Sequence, residues 1–169
     1  MLGDSLTALG EWSRLLPGMD VGNRGLGSET SAGLRARIED GEPVGPTAVI
    51  LIGINDARAH ISADETEANI RAIVDRLRGR RILLQSTLPR TTRDDTDRTT
   101  RLATFEQQLC ADGRCRFVDL RPALAPSGVL EPRFAVDDTH LSWPAYLRWG
   151  AIVRAALAEP SAASRAPAA

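Results

Sequence analysis

Lysine is absent from this chain, histidine and cysteine occur twice each, and aromatic residues make up only 4% of the total. All 21 basic residues are therefore arginine, set against 22 acidic ones, for a formal net charge of -1. A bias in coding explains uniform arginine more simply than 21 separate demands for a guanidinium fork, so no arginine is singled out on identity alone. A near-neutral balance gives nucleic acid or an anionic membrane surface nothing to bind, and a small neutral or weakly charged molecule is the easier partner. No apolar run approaches the roughly 20 residues of a membrane span. The first residues also lack the basic-then-apolar order of a secretory leader. The sequence as it stands is expected to be cytoplasmic, and residues upstream of Met1 in a longer protein would reopen a secreted location. Cys110 and Cys115 enclose only Ala-Asp-Gly-Arg, a turn that could close into a small disulfide in an oxidising compartment. Without a leader, two free thiols are expected, and two cysteines with no histidine beside them make a poor zinc site. No metal is expected.

What is present is a chain of 169 residues, enough for one domain with its own core. Residues 20–23, 47–52, 81–86 and 116–120 read as strands separated by helical patterns, which implies crossover helices and a parallel sheet. The nearly continuous apolar runs at 47–52 and 81–84 belong to strands covered on both faces. Ser62-Ala-Asp-Glu65 is a capping box opening a helix whose apolar positions Ile70, Ile73, Val74 and Leu77 follow a helical period and which should end near Gly79. Further helices are expected over 95–111 and 143–157, with Pro144 tolerated in the first turn of the latter. The domain is expected to span residues 1–158, and the Ala-, Pro- and Ser-rich stretch 159–169 reads as a disordered tail.

Four short segments carry chemistry: Gly3-Asp-Ser-Leu-Thr7, Asn23-Arg-Gly-Leu-Gly-Ser-Glu-Thr30, Gly53-Ile-Asn-Asp56 and Asp137-Asp-Thr-His140. The first three fall at the C-terminal ends of expected strands, where open α/β sheets bind ligands. A serine attacks an acyl carbon only if a base takes its proton and a third group orients that base. His140, with Asp137 three residues upstream, fits that pairing, although an isolated Asp-x-x-His also occurs as a plain helix cap. His60 reads as a loop residue. Oxyanion donors could come from backbone N–H groups after Ser5, from the Gly25–Ser28 turn and from the Asn55 carboxamide. The glycine order Gly22-x-x-Gly25-x-Gly27 is wrong for a dinucleotide fingerprint, and no cofactor is expected.

Taken together and in order, these segments resemble the SGNH or GDSL hydrolase family over roughly Leu2 to Leu157. The resemblance implies a three-layer α/β/α sandwich with a five-stranded, mostly parallel, flavodoxin-like sheet. By position it implies Ser5 as nucleophile, His140 as base, Asp137 as orienter, and Ser5, Ser28 and Asn55 as the oxyanion hole, with Gly27 as the fallback donor. Asp4, Asp56 and Asp138 read as loop-organising, and Asp94, Asp95 and Asp97 as a solvated helix start.

The sequence departs from the family in two places. Ser28 stands where the family has an oxyanion glycine, and only Met1 and Leu2 precede the block that should follow a central strand. A truncated first strand or a misplaced start is therefore expected, with a very short strand as the alternative. Leu6, Trp12, Leu141 and Trp143 are candidate walls of a small acyl pocket. The expected activity is hydrolysis of short-chain, acetyl-type esters of alcohols or sugars. Acyl transfer from the same serine and a non-catalytic binding module are the rivals, and oligomeric state is left open.

Overall fold

Strands 47–51 and 81–85 are apolar at consecutive positions, so each must be covered on both faces. The structure, a computed structural model, describes residues 1–159 and places these runs at the middle of a layered fold. β1 (Leu2–Gly3), β2 (Arg24–Gly25), β3 (Thr47–Leu51), β4 (Arg81–Gln85) and β5 (Arg116–Val118) form a five-stranded sheet in the order β2-β1-β3-β4-β5. Every neighbouring pair is parallel. Alternate side chains then define two cores. On one face Ile50 and Leu84 pack against α3 (Ser31–Glu39), α5 (Ala63–Arg76) and α6 (Thr96–Leu109) through Leu34, Ile70 and Phe105. On the other face Val49, Leu51 and Leu83 meet α1 (Ser5–Ala8), α2 (Trp12–Leu15), α7 (Arg121–Leu124) and α8 (Trp143–Ala158) through Leu6, Trp12, Leu124 and Trp149. The architecture is the three-layer α/β/α sandwich. α4 (Ile54–Arg58) follows β3 directly, and a short 3-10 turn covers Pro132–Phe134.

Two expectations are corrected. The strand expected at 20–23 is β2 at Arg24–Gly25, because pairing begins only where the short β1 offers partners: the Met1 amine donates to Gly22 O at 2.8 Å and Arg24 N–H to Met1 O at 2.8 Å. The strand leading to Ser5 is two residues long, yet it pairs with β2 on one side and β3 on the other. Cys110 and Cys115 are not free thiols but a disulfide, tying the end of α6 to the start of β5. The intervening turn brings their Cα atoms to 4.7 Å, within bridging reach. Nearly all of the expected tail lies outside the described residues. Glu159, its first residue, ion-pairs with Arg116.

Candidate active site

Gly3 ends β1 with φ +148, and a Cβ there would lie 2.0 Å from Leu51 O and 2.6 Å from Thr7 Oγ1. Only glycine fits so close an approach of strand, neighbour and helix. The next residue, Asp4, caps α1: its Oδ1 accepts the Leu6 N–H at 2.9 Å. Ser5 is thus the first residue of α1 at the C-terminal edge of the sheet, half-buried and aimed at the last loop of the chain.

That loop carries His140. Its Nε2 lies 3.1 Å from Ser5 Oγ, although the two residues are 135 apart in sequence, and its Nδ1 lies 2.7 Å from Asp137 Oδ2. An Nδ1–H held by a carboxylate leaves Nε2 as the acceptor for the serine hydroxyl. Asp137 also accepts the backbone N–H groups of His140 at 2.6 Å and Thr139 at 2.8 Å. These bonds, the His140 N–H first among them, hold its carboxyl well below the usual carboxylate range. An antiparallel bridge between Ala135 and Leu141 closes the loop. Arg90, from the segment after β4, then clamps it from outside. Its guanidinium pairs with Asp138, with Asp95 at 3.1 Å and with Thr139 Oγ1 at 3.3 Å, while Thr91 N–H donates to Asp138 O at 3.0 Å.

The donors converge from two other strand ends. Asn55, on α4, is buried and donates one amide hydrogen to Glu29 O at 2.9 Å; among the described residues its other amide hydrogen meets no protein acceptor. Ser28 has φ +59, a left-handed conformation that costs a non-glycine residue roughly 1–2 kcal/mol. Among the described residues, neither the Ser5 nor the Ser28 N–H donates to a protein acceptor. The turn is fixed from below by Glu29, whose two carboxylate oxygens each accept from Arg37 at 2.7 Å. Gly25 is required as well, since a Cβ there would meet Ala8 N at 2.2 Å.

Asp56 is organising, as its position suggested. It accepts Ser31 N–H at 2.9 Å and the Ser31 hydroxyl at 2.5 Å, joining α4 to the start of α3. Asp4 is fully buried, and desolvation first, with Glu29 and Asp56 adding to it, pushes its carboxyl up to about 7. His60 lies just after α4, with φ +55. Of the four candidate walls of an acyl pocket, three are buried. Leu6, Trp12 and Leu141 are 1%, 2% and 5% exposed and belong to the core, where the Trp12 ring meets Trp149 edge-on at 4.7 Å. A residue following a helix start packs inward when a large aromatic cluster awaits it. Trp143 alone of the four reaches the surface, under the Arg14 guanidinium. Sequence reasoning missed Arg90, Arg37 and Glu29, whose only signal was a place in a polar loop or a helix.

A model of the GDSL-like lipase/acylhydrolase family matches residues 1–148. The chain belongs to that family. It is a serine ester hydrolase. A search of curated proteins found no match. Among solved structures, the hydrolase superposes on a Streptococcus pneumonia protein described as a candidate platelet activating factor with TM-score 0.84 and 21% identity, over 92% of this chain and 81% of that one. A GDSL-like lipase from Bacteroides thetaiotaomicron gives TM-score 0.78 and 20% identity, over 92% and 85%. A catalytic mutant of an acetylxylan esterase from Geobacillus stearothermophilus gives TM-score 0.78 and 22% identity, over 97% and 95%. At these identities the likenesses establish the fold.

Proposed function

We propose that Ser5 is the nucleophile, His140 its base, Asp137 the group that orients that base, and the N–H groups of Ser5 and Ser28 with the Asn55 amide the oxyanion hole. The observation that carries this reading is the unbroken relay from Ser5 Oγ through His140 Nε2 and Nδ1 to Asp137 Oδ2, at 3.1 and 2.7 Å. His140 takes the hydroxyl proton as Ser5 Oγ attacks the ester carbon. The carbonyl oxygen becomes an oxyanion facing the three donors, and collapse expels the alcohol, which receives the proton from His140. Water then attacks the acyl-serine with the same base. Asp137 stays ionised throughout, matching the depression of its carboxyl, and stabilises the imidazolium.

The substrate of this reading is a short-chain, acetyl-type ester of an alcohol or sugar. Support comes from the burial of Leu6, Trp12 and Leu141, whose side chains pack in the core. The half-buried nucleophile is open to water, which favours hydrolysis over transfer to another acceptor. Ser5→Ala is expected to abolish p-nitrophenyl acetate hydrolysis while leaving the circular dichroism spectrum unchanged; retained turnover removes Ser5 from the role. Across acetyl to octanoyl esters, kcat/KM is expected to fall with chain length, and a rise would refute the short-acyl reading.

A further inference from the structure

Beyond the last rung of the β3–β4 ladder, Ile50 against Leu84, the two strand ends are held by a side chain. Thr87 Oγ1 lies 2.9 Å from Ile52 O and 2.7 Å from Glu106 Oε1, while Thr87 N–H donates to Glu106 Oε2 at 2.7 Å. Glu106, Thr87 and Ile52 are all buried. A threonine hydroxyl has one proton, and a carbonyl oxygen can only accept. If the proton goes to Ile52 O, the contact with Glu106 needs a donor on the other side, which a carboxylate lacks and a carboxylic acid has.

The place of this clamp gives it a consequence. Thr87 packs on Gly53, whose φ is +121 and whose Cβ, if present, would lie 2.8 Å from Thr87 Oγ1. Gly53 caps α4, and Asn55 is the second residue of that helix. We propose that Glu106 is a positioning residue: as the neutral acid it donates to Thr87, which donates in turn to the Ile52 carbonyl and fixes the turn that presents Asn55. The proposal rests on the reading of Asn55 as an oxyanion donor. Burial pushes the Glu106 carboxyl up to about 8, in agreement with the proton count. Two charged groups act on it: Arg121 on α7, which favours ionisation, and Asp119 after β5, which opposes it. Loss of the proton leaves one hydroxyl hydrogen for two acceptors. Thr87 then turns to the carboxylate, and the Ile52 carbonyl loses its partner next to Gly53.

Steady-state hydrolysis of p-nitrophenyl acetate by wild type, Glu106→Gln and Asn55→Ala between about pH 7 and pH 9.5 tests this. Gln donates from its amide and accepts at its carbonyl, so it reproduces the neutral acid with no proton to lose. Wild type is expected to lose kcat by about tenfold over that range, with KM moving less than twofold, part of the 10²–10³ that one oxyanion donor supplies. Glu106→Gln is expected to match wild type at pH 7 and to keep its kcat within about twofold up to pH 9.5. Independently, wild type minus Glu106→Gln infrared difference spectra at pH 7 should contain the C=O stretch of a protonated carboxylic acid. An equal alkaline loss in Glu106→Gln, or absence of that band, overturns the proposal even where Asn55→Ala lowers kcat by about 10²–10³. Wild-type kcat in Asn55→Ala would instead sink the oxyanion reading itself, and this proposal with it.

Discussion

Ser28 occupies a backbone conformation that glycine adopts freely and serine does not, on an exposed turn whose neighbours Glu29 and Thr30 are both tied down. Replacing it by glycine relieves that conformational cost but frees the unfolded chain, so the gain is expected to stay below about 1 kcal/mol. Chemical denaturation of Ser28→Gly should show that small gain with kcat unchanged; a large fall in kcat would mean that the Ser28 side chain contributes more than its N–H. At this scale the sequence was most legible where a role dictates a residue type. Ser5, Asp137 and His140 could be singled out because a proton relay admits few residue types, and the structure brings the three into one hydrogen-bonded line. Arg90, Glu106 and Thr87 could not, because what each does depends on burial and on a neighbour from another element. A glutamate at position 106 is a routine helix residue until α6 is seen to press it against the end of β4.

Elements with their own local signals were read correctly. α5 begins at Ala63 behind the Ser62 cap, whose hydroxyl accepts the Glu65 N–H at 3.2 Å, and β3 and β4 follow from their apolar runs. β2 was misplaced because residues 20–25 have no alternating pattern, and their pairing is set by β1. The loop bearing His140 has no regular structure, and its shape comes from Arg90, which reaches three acceptors at once. Arg90→Ala is therefore expected to lower kcat by about 10- to 100-fold, as a loosened base would. Added guanidinium should restore part of the loss, whereas Arg90→Lys should not, since an ammonium cannot match a planar fork. Loss of secondary structure without rescue would show that the clamp serves only the fold.

For the molecule as a whole, two buried acids set the dependence of stability on pH. Asp4 and Glu106 hold their protons to about 7 and about 8 when folded, against ordinary values of 3.8 and 4.5. The folded state therefore binds more protons than the unfolded one between about pH 4 and pH 8, and stability falls as pH rises through that window. Urea midpoints should decline from about pH 5 to pH 8, and Glu106→Gln should flatten the slope. A midpoint that climbs with pH over this range would contradict the assignment of both groups. The depressed Asp137 carboxyl acts in the opposite sense, its contribution being present above the ordinary carboxylate range and lost in stronger acid.

Cys110 and Cys115 close a loop with a separation of only 5, so by chain entropy the bond contributes about 2 kcal/mol. Reduction should lower Tm by roughly 4–8 °C for a chain of this size. An unchanged Tm would mean that strain or residual unfolded structure offsets the bond.

The relay joins the first helix of the chain to the loop before the last. Ser5 follows a two-residue strand that is held by β2 and β3, while His140 shortly precedes α8, whose Trp149 and Val153 share one core with Leu6. During refolding, then, helices and the β3–β4 pair can form from contacts close in sequence, but the bond between His140 and Ser5 closes a loop with a separation of 135 and pays its entropy late. A Ser5–His140 contact therefore reports that the first helix and the loop before α8 have come together.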